Sequence, residues 1–174
     1  RPTVLLVDHE GDATSALVAF LRDQGFEVVW SRDGAGGHNA LDSTRVDCLV
    51  AELRAARIDG LDLLRRARER NPEICAVLVS RGDAPGKAVE AMRQGAADFQ
   101  AKPVDHERLL TVLRRGLERQ ALVARVIEME SQLDERFGIG MLEADDYNRR
   151  VREKGYAVRC ARDAYVHHWQ MASF

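Results

Sequence analysis

The sequence predicts an α/β fold: a doubly wound, five-stranded parallel sheet with helices on both faces. Two observations lead there. Short apolar runs alternate with helix-period segments through residues 1–120, and strands that alternate with helices build parallel sheets covered on both sides. There are five such β/α units, and right-handed crossovers arrange five units in the strand order 2-1-3-4-5.

The elements follow in order. Thr3–Val7 is a continuous apolar run and reads as the first strand. Over Gly11–Gln24, Leu17, Val18, Phe20 and Leu21 recur at helical spacing until Gly25 stops the pattern. Phe26–Trp30 is the second strand, and Asp33–Ser43 a weak helix loosened by Gly34, Gly36 and Gly37. Val46–Ala51 is the third strand. Gly60–Arg70 is a helix ended before Pro72, and Ile74–Val79 the fourth strand. Ala84–Gln94 is a helix closed by Gly95, and Ala97–Ala101 a short fifth strand. Asp105 then caps a last helix.

Composition narrows the function classes. The chain has 174 residues, which suits one ordinary domain, here 1–120, plus an extension. Apolar residues make up 45% and supply a core; the net charge of −2 points neither to nucleic acid nor to an acidic lipid surface. No apolar run approaches the ~20 residues of a membrane helix. The chain opens Arg1-Pro2-Thr3 and enters a strand at once, so no signal peptide is read and a cytoplasmic location is expected. Cys48, Cys75 and Cys160 show no metal or disulfide spacing; Cys48 and Cys75 lie in apolar runs and read as small core residues.

In doubly wound sheets, function collects at the carboxyl ends of the strands. The first strand ends in Asp8-His9-Glu10, the third in Glu52, the fourth in Ser80 and the fifth in Lys102-Pro103. The second ends in Ser31, at the edge. The segments VLLVDHE, DCLVAELRAARIDGLDLL, VLVSRGD and GAADFQAKPVD contain these residues. In order and spacing, over about residues 3–118, they resemble the receiver domains of two-component signalling, a flavodoxin-like fold.

The resemblance implies a strand-three aspartate that accepts a phosphoryl group and two acids that help hold Mg²⁺, an ion that prefers hard oxygen ligands. It also implies a Ser or Thr that bonds a phosphoryl oxygen, a Lys that neutralises it, and an aromatic that reports the state. Asp8 takes the first acid position. His9 takes the second, where a neutral imidazole is a poor Mg²⁺ ligand. Glu52 takes the phosphoacceptor position, one methylene longer than aspartate and permanently charged. Ser80, Phe99, Lys102 and Pro103 match the hydroxyl, aromatic, lysine and following proline, the last often preceded by a cis bond in the family. Asp59-Gly60 matches the turn opening the third helix, although Ala56 stands near the family's usual proline. The degenerate metal site of Asp8, His9 and Glu52 is expected to be weak or empty of Mg²⁺, and no other cofactor is implied.

Three readings of Glu52 stay open: an ion pair with Lys102 that fixes an active-like surface, a drifted residue in a retired site, and residual phosphorylation on another acid such as Asp8. His9 reads as a pH sensor or, more simply, as a solvated loop histidine beside two acids. Arg54, Arg57, Arg65, Arg66, Arg68 and Arg70 interleave with Asp59, Asp62 and Glu69 and read as a solvated charged face.

The last helix continues from Asp105 to about Phe137, with only Gly116 inside it. That is roughly 33 residues, or ~50 Å at 1.5 Å per residue. Leu109, Val112, Leu113 and Leu117 should pack on the sheet. Leu122, Val126, Met129 and Leu133 then repeat at four- and three-residue steps, an a/d seam that suits a homodimer through the 105–137 helix. The stretch ERQALVARVIEMESQLDERFG also resembles the linker between receivers and ATPase domains in sigma-54-type transcription activators, though no ATPase motif follows.

Residues 138–174 resemble the end of the catalytic domain of family 2 glycosyltransferases, through Glu143, Asp146, Arg150, Gly155-Tyr156 and His167-His168. Ala144 stands where the second acid should be. Asp145 is its possible substitute, at a helical direction differing by ~100°. A nucleotide-binding half with an Asp-x-Asp motif is missing upstream, so an inactive remnant is expected. A Zn²⁺ site at His167-His168 lacks ligand spacing. The chain as a whole reads as a non-enzymatic binding module. It would meet a protein partner through the face formed by its fourth helix, fifth strand and last helix, with no direct nucleic-acid or membrane contact. The alternatives are a conventional Mg²⁺-dependent phosphoacceptor regulating transcription and a regulatory part of a glycosyltransferase.

Overall fold

The computed structural model describes residues 1–9, 11–55, 58–82 and 85–153, with side chains described to residue 132 other than those of 55, 58 and 85. The chain divides into two compact units, Arg1–Val123 and Ala124–Phe174. The first is the predicted α/β sheet. Its strands are β1 (Thr3–Val7), β2 (Glu27–Ser31), β3 (Cys48–Glu52), β4 (Cys75–Ser80) and β5 (Asp98–Ala101). All neighbours pair in parallel in the order β2-β1-β3-β4-β5. The helices are α1 (Gly11–Asp23), α2 (Gly34–Ser43), α3 (Gly60–Arg70), α4 (Pro85–Arg93) and α5 (His106–Glu153). Strand and helix bounds differ from the sequence expectation by one or two residues for most elements. A two-residue hairpin, Arg54–Ala55 against Ile58–Asp59, was not foreseen.

β1, β3 and β4 are buried along their whole length. Successive side chains of a strand point to opposite faces, so the same three strands supply two cores. Leu5, Val7, Leu49, Ala51, Ala76 and Leu78 join Leu63, Leu64 and Ala67 of α3 on one side. Val4, Leu6, Cys48, Val50, Cys75 and Val77 join α1 and the start of α5 on the other. The foreseen glycine stops are present. After α1 and after α4 the chain turns through Gly25 (φ +91°) and Gly95 (φ +92°). Each turn is closed by paired backbone bonds back into the helix, Phe26 N to Leu21 O and Ala96 N to Ala91 O among them. α2 forms despite its three glycines because Asp33 caps it, its side chain accepting from Gly36 N at 2.7 Å.

Asp105 caps α5, accepting from Arg108 N at 3.0 Å. Leu109 and Leu113 are fully buried on the sheet, with Val112 and Leu117 packed at the margin as predicted. Gly116 is not a weak point of the helix: a Cβ there would collide with Cβ and Sγ of Cys75, so glycine lets α5 lie close on β4. Cys48 and Cys75 are register partners on adjacent strands. Their mutual hydrogen bond and burial push the Cys48 thiol well up, so it stays protonated, as a core residue should. The arginine-rich face of α3 is indeed interleaved with acids: Arg65 pairs with Asp62 (2.6 Å), and Arg66 with Asp42 (3.0 Å) and Glu69 (3.3 Å).

Of the second unit, the backbone of α5 is described as far as Glu153, so the helix does not end near Phe137 as expected. Each glycine costs a helix only about 1 kcal/mol relative to alanine. Gly138 and Gly140 are followed by the strong helix formers Met141, Leu142, Glu143 and Ala144, and no proline intervenes. The side chains of Leu133, Glu143, Asp145 and Asp146, and residues His167 and His168, lie outside the described part. No helix among the described residues is long and apolar enough to cross a membrane.

Gly116→Val should destabilise the protein by about 1–3 kcal/mol in urea unfolding, the usual cost of overpacking. Adding Cys75→Ala should recover part of that loss. An unchanged midpoint for Gly116→Val would show that α5 does not need the close approach.

Candidate functional site

The carboxyl ends of four strands meet in one charged cluster. Asp8 follows β1 directly. Its backbone is held from both sides, Asp8 N donating to Ser31 O (3.1 Å) and Trp30 Nε1 donating to Asp8 O (2.9 Å). Glu52 is the last residue of β3 and 1% exposed. The chain after it is pinned by Leu53 N to Val79 O (2.6 Å) and Gly60 N to Leu53 O (3.0 Å). Gly60 approaches the Glu52 carbonyl so closely that a Cβ would meet it at 2.6 Å. Asp59 then caps α3, accepting from Leu61 N and Asp62 N. Lys102 follows β5, with its N–H on Ser80 O at 2.8 Å and a cis bond to Pro103.

Within this frame the two buried acids share one ammonium. Lys102 Nζ lies 2.8 Å from Asp8 Oδ2 and 3.4 Å from Glu52 Oε2. The expected Glu52–Lys102 pair is therefore present, but it is the longer of the two contacts. The nearest partner of Glu52 Oε2 is His9, whose Nδ1 lies at 2.8 Å. On the other side of the imidazole, Nε2 is 3.2 Å from Arg81 Nη2, and Arg81 Nε is 3.7 Å from Glu52 Oε1. A guanidinium only donates. Nε2 therefore accepts, and the ring proton sits on Nδ1, donated to Glu52.

His9 is 44% exposed and lies beside two acids, Asp8 and Glu52, as expected of a solvated loop histidine there. It also bridges the buried Glu52 carboxylate to Arg81. Arg81 was missed altogether. The signal available was its position, one residue beyond Ser80 at the end of a buried strand.

Burying carboxylates such as Glu52 and Asp8 costs several kcal/mol each unless cations and hydrogen bonds surround them. Here three cationic or donor groups face Glu52. The remaining predicted residues stand nearby but outside this cluster. Ser80 is buried, its Oγ donating to the Arg81 carbonyl at 3.3 Å. Phe99 is half-buried against the α3-side core. A cleft of about 510 Å³ opens beside the cluster, lined by Asp8, Thr14, Leu17, Lys102, Pro103 and His106 among others.

The geometry agrees with what the comparisons find. The family model for the response regulator receiver domain matches residues 4–114.

The chain belongs to the receiver-domain family.

Among its relatives is the nitrogen assimilation regulatory protein NtrX of Azorhizobium caulinodans, 31% identical over 129 residues, which cover 73% of this chain and 28% of that protein. The transcriptional regulatory protein TrcR of Mycobacterium tuberculosis is 30% identical over 155 residues, 89% of this chain and 58% of TrcR. The chain thus spans less than two thirds of the length of these relatives. The crystal structure of NtrX from Brucella abortus in complex with ADP superposes with a TM-score of 0.65 at 31% identity, covering 71% of this chain and 29% of that one. A receiver domain from Clostridium thermocellum shares the fold, with a TM-score of 0.65 at 20% identity over 71% of this chain and 99% of its own.

The receiver fold implies Mg²⁺ at Asp8, His9 and Glu52, whose ligand atoms lie within 4.8 Å of one another. The donor set does not fit that ion. Mg²⁺ seeks several oxygens in octahedral array, whereas this receiver offers an imidazole nitrogen, and Lys102 already binds both carboxylates.

Lys102→Met should leave the two buried acids without their ammonium and destabilise the receiver by about 3–5 kcal/mol at neutral pH, the cost typical of breaking a buried ion pair. Adding Glu52→Gln should restore part of the loss in the same urea titration. Equal stability of wild type and Lys102→Met would show that the network carries no such constraint.

Proposed function

We propose that this chain is an atypical receiver module in which a standing ion network replaces the phosphorylated state. The observation that carries this reading is the buried Glu52 carboxylate, engaged through one oxygen by His9 and Lys102 and faced at the other by Arg81. A phosphoacceptor needs a free carboxylate oxygen beside a bound metal. Glu52 offers neither: its oxygens face cations, and the position of the second acid is an imidazole. The network also ties the loop after β4 (through Arg81) and the end of β5 (through Lys102) to β1 and β3. Those are the segments that lead into α4 and α5.

The module then acts through protein contacts rather than catalysis, through its α4–β5–α5 face. Val89 and Met92 on α4 are 52% and 48% exposed, consistent with a partner surface there. We assign 1–120 to the receiver and 105–137 to a pairing helix that joins two copies. Leu122, Val126 and Met129 are 64%, 53% and 55% exposed, as an unpaired seam would be. The resemblance of this stretch to sigma-54 activator linkers fits the same role. The glycosyltransferase-like tail, 138–174, contributes nothing to the reading.

A second reading has its own support. The relatives include proteins named as transcriptional regulators, and Ser80 and Lys102 are both kept, as a conventional Mg²⁺-dependent phosphoacceptor in transcriptional control would need. Incubation with acetyl phosphate and Mg²⁺, read by intact mass, separates the two. Wild type and Glu52→Asp should gain no phosphoryl group, and Glu52→Asp with His9→Asp should gain one. Stoichiometric phosphorylation of wild type would overturn the proposal. Full phosphorylation of the single Glu52→Asp variant would overturn the role given to His9.

A further inference from the structure

We propose that Cys48 and Cys75 form an oxidation site: a pair of thiols that hydrogen peroxide converts to an intrachain disulfide, changing how α5 sits on β4. The proposal uses no residue of the ion network and stands whether or not the receiver accepts phosphate.

The strands bring the two sulfurs together. Cys48 on β3 and Cys75 on β4 are register partners in a parallel pair, and both belong to the core on the α1 and α5 side of the sheet. Adjacent strands lie about 4.7–4.9 Å apart, inside the Cα separation of about 4.4–6.8 Å that a disulfide spans. The thiols already meet through a hydrogen bond. Cys75 Sγ also donates to the Val112 carbonyl of α5, at 3.6 Å. Cys48 therefore donates to Cys75, and Cys75 to the helix.

The pair is asymmetric. The bond from Cys48 pulls the Cys75 thiol down against its burial, and the charge of Arg119 helps. The thiolate is the reactive form of a cysteine, so Cys75 is the nucleophile and the protonated Cys48 the resolving partner. The cover over Cys75 is thin: against its Sγ stands Gly116, a half-buried residue with no side chain.

The chemistry balances in two steps. The Cys75 sulfur attacks one peroxide oxygen; the S–O bond forms, the O–O bond breaks, and the departing hydroxide leaves as water with the proton of Cys75. The Cys48 sulfur then attacks the sulfenic sulfur; the S–S bond forms, the S–O bond breaks, and a second water leaves with the proton of Cys48. Two thiols are oxidised and one peroxide is reduced to two waters. In the product Cys75 has no proton for Val112, and its sulfur is drawn toward β3 and away from Gly116.

The test uses the whole chain carrying Cys160→Ser, which leaves these two thiols alone. Hydrogen peroxide added to the folded protein should remove two hydrogens from the intact mass. Peptide mapping without reductant should join the Cys48 and Cys75 peptides, and dithiothreitol should separate them. The amide positions of Val112 and Gly116 should move in a ¹H–¹⁵N spectrum of the oxidised form. In the same background, Cys48→Ser should stop at a Cys75 sulfenic acid that dimedone captures, and Cys75→Ser should react at least tenfold more slowly. Wild type should give the same Cys48–Cys75 link. Thiols that stay reduced in the folded chain and react only in urea would overturn the proposal, as would disulfides that join two chains. Unmoved Val112 and Gly116 amides in the disulfide form would overturn the change assigned to α5.

Discussion

A carboxylate that is 1% exposed has to be neutralised where it stands, and Glu52 sets that condition for the whole active end of this receiver. Water cannot solvate it. The fold meets the demand with groups from three other strand ends: His9 after β1, Arg81 after β4 and Lys102 after β5. Asp8 adds a second buried acid and takes the closer contact with Lys102. Such a cluster adds little net stability, because desolvation nearly cancels attraction. Its effect is geometric. Each member is held by its partners.

The sheet makes this convergence possible. Three strands buried on both faces hold their carboxyl ends in register, and α1, α3 and α5 lie against them. Gly60 and Gly116 remove a side chain where a helix backbone must approach a strand. Around that rigid frame stand Ser80, Phe99 and Lys102, and the imidazole of His9 binds Glu52 directly, Nδ1 to Oε2 at 2.8 Å.

Much of this was legible in the sequence, for a physical reason. Asp8, Glu52 and Ser80 each terminate an apolar run, and a polar residue at the end of a buried parallel strand has few places to go. The strand order followed from the element pattern. What could not be read was pairing across loops. Nothing in the string brings Arg81 to His9, 72 positions away, and a polar residue after a strand is usually solvated. The bridging role of His9 was hidden for the same reason: one edge of its ring is wet while the other binds a buried acid. The role of Gly116 was hidden because its neighbour, Cys75, belongs to a strand far away in the chain. The end of α5 was placed too early because Gly138 and Gly140 weigh more in a local pattern than in a helix flanked by strong formers.

If the ion network occupies the place of the phosphoryl group, the receiver should be indifferent to a phosphoryl mimic. A ¹H–¹⁵N correlation spectrum recorded before and after adding beryllofluoride with Mg²⁺ measures this residue by residue. The amide positions of Ser80, Phe99 and Lys102 should stay where they are. A new set of peaks for these residues, spreading across α4 and β5, would show that the site is open and that the network does not hold it.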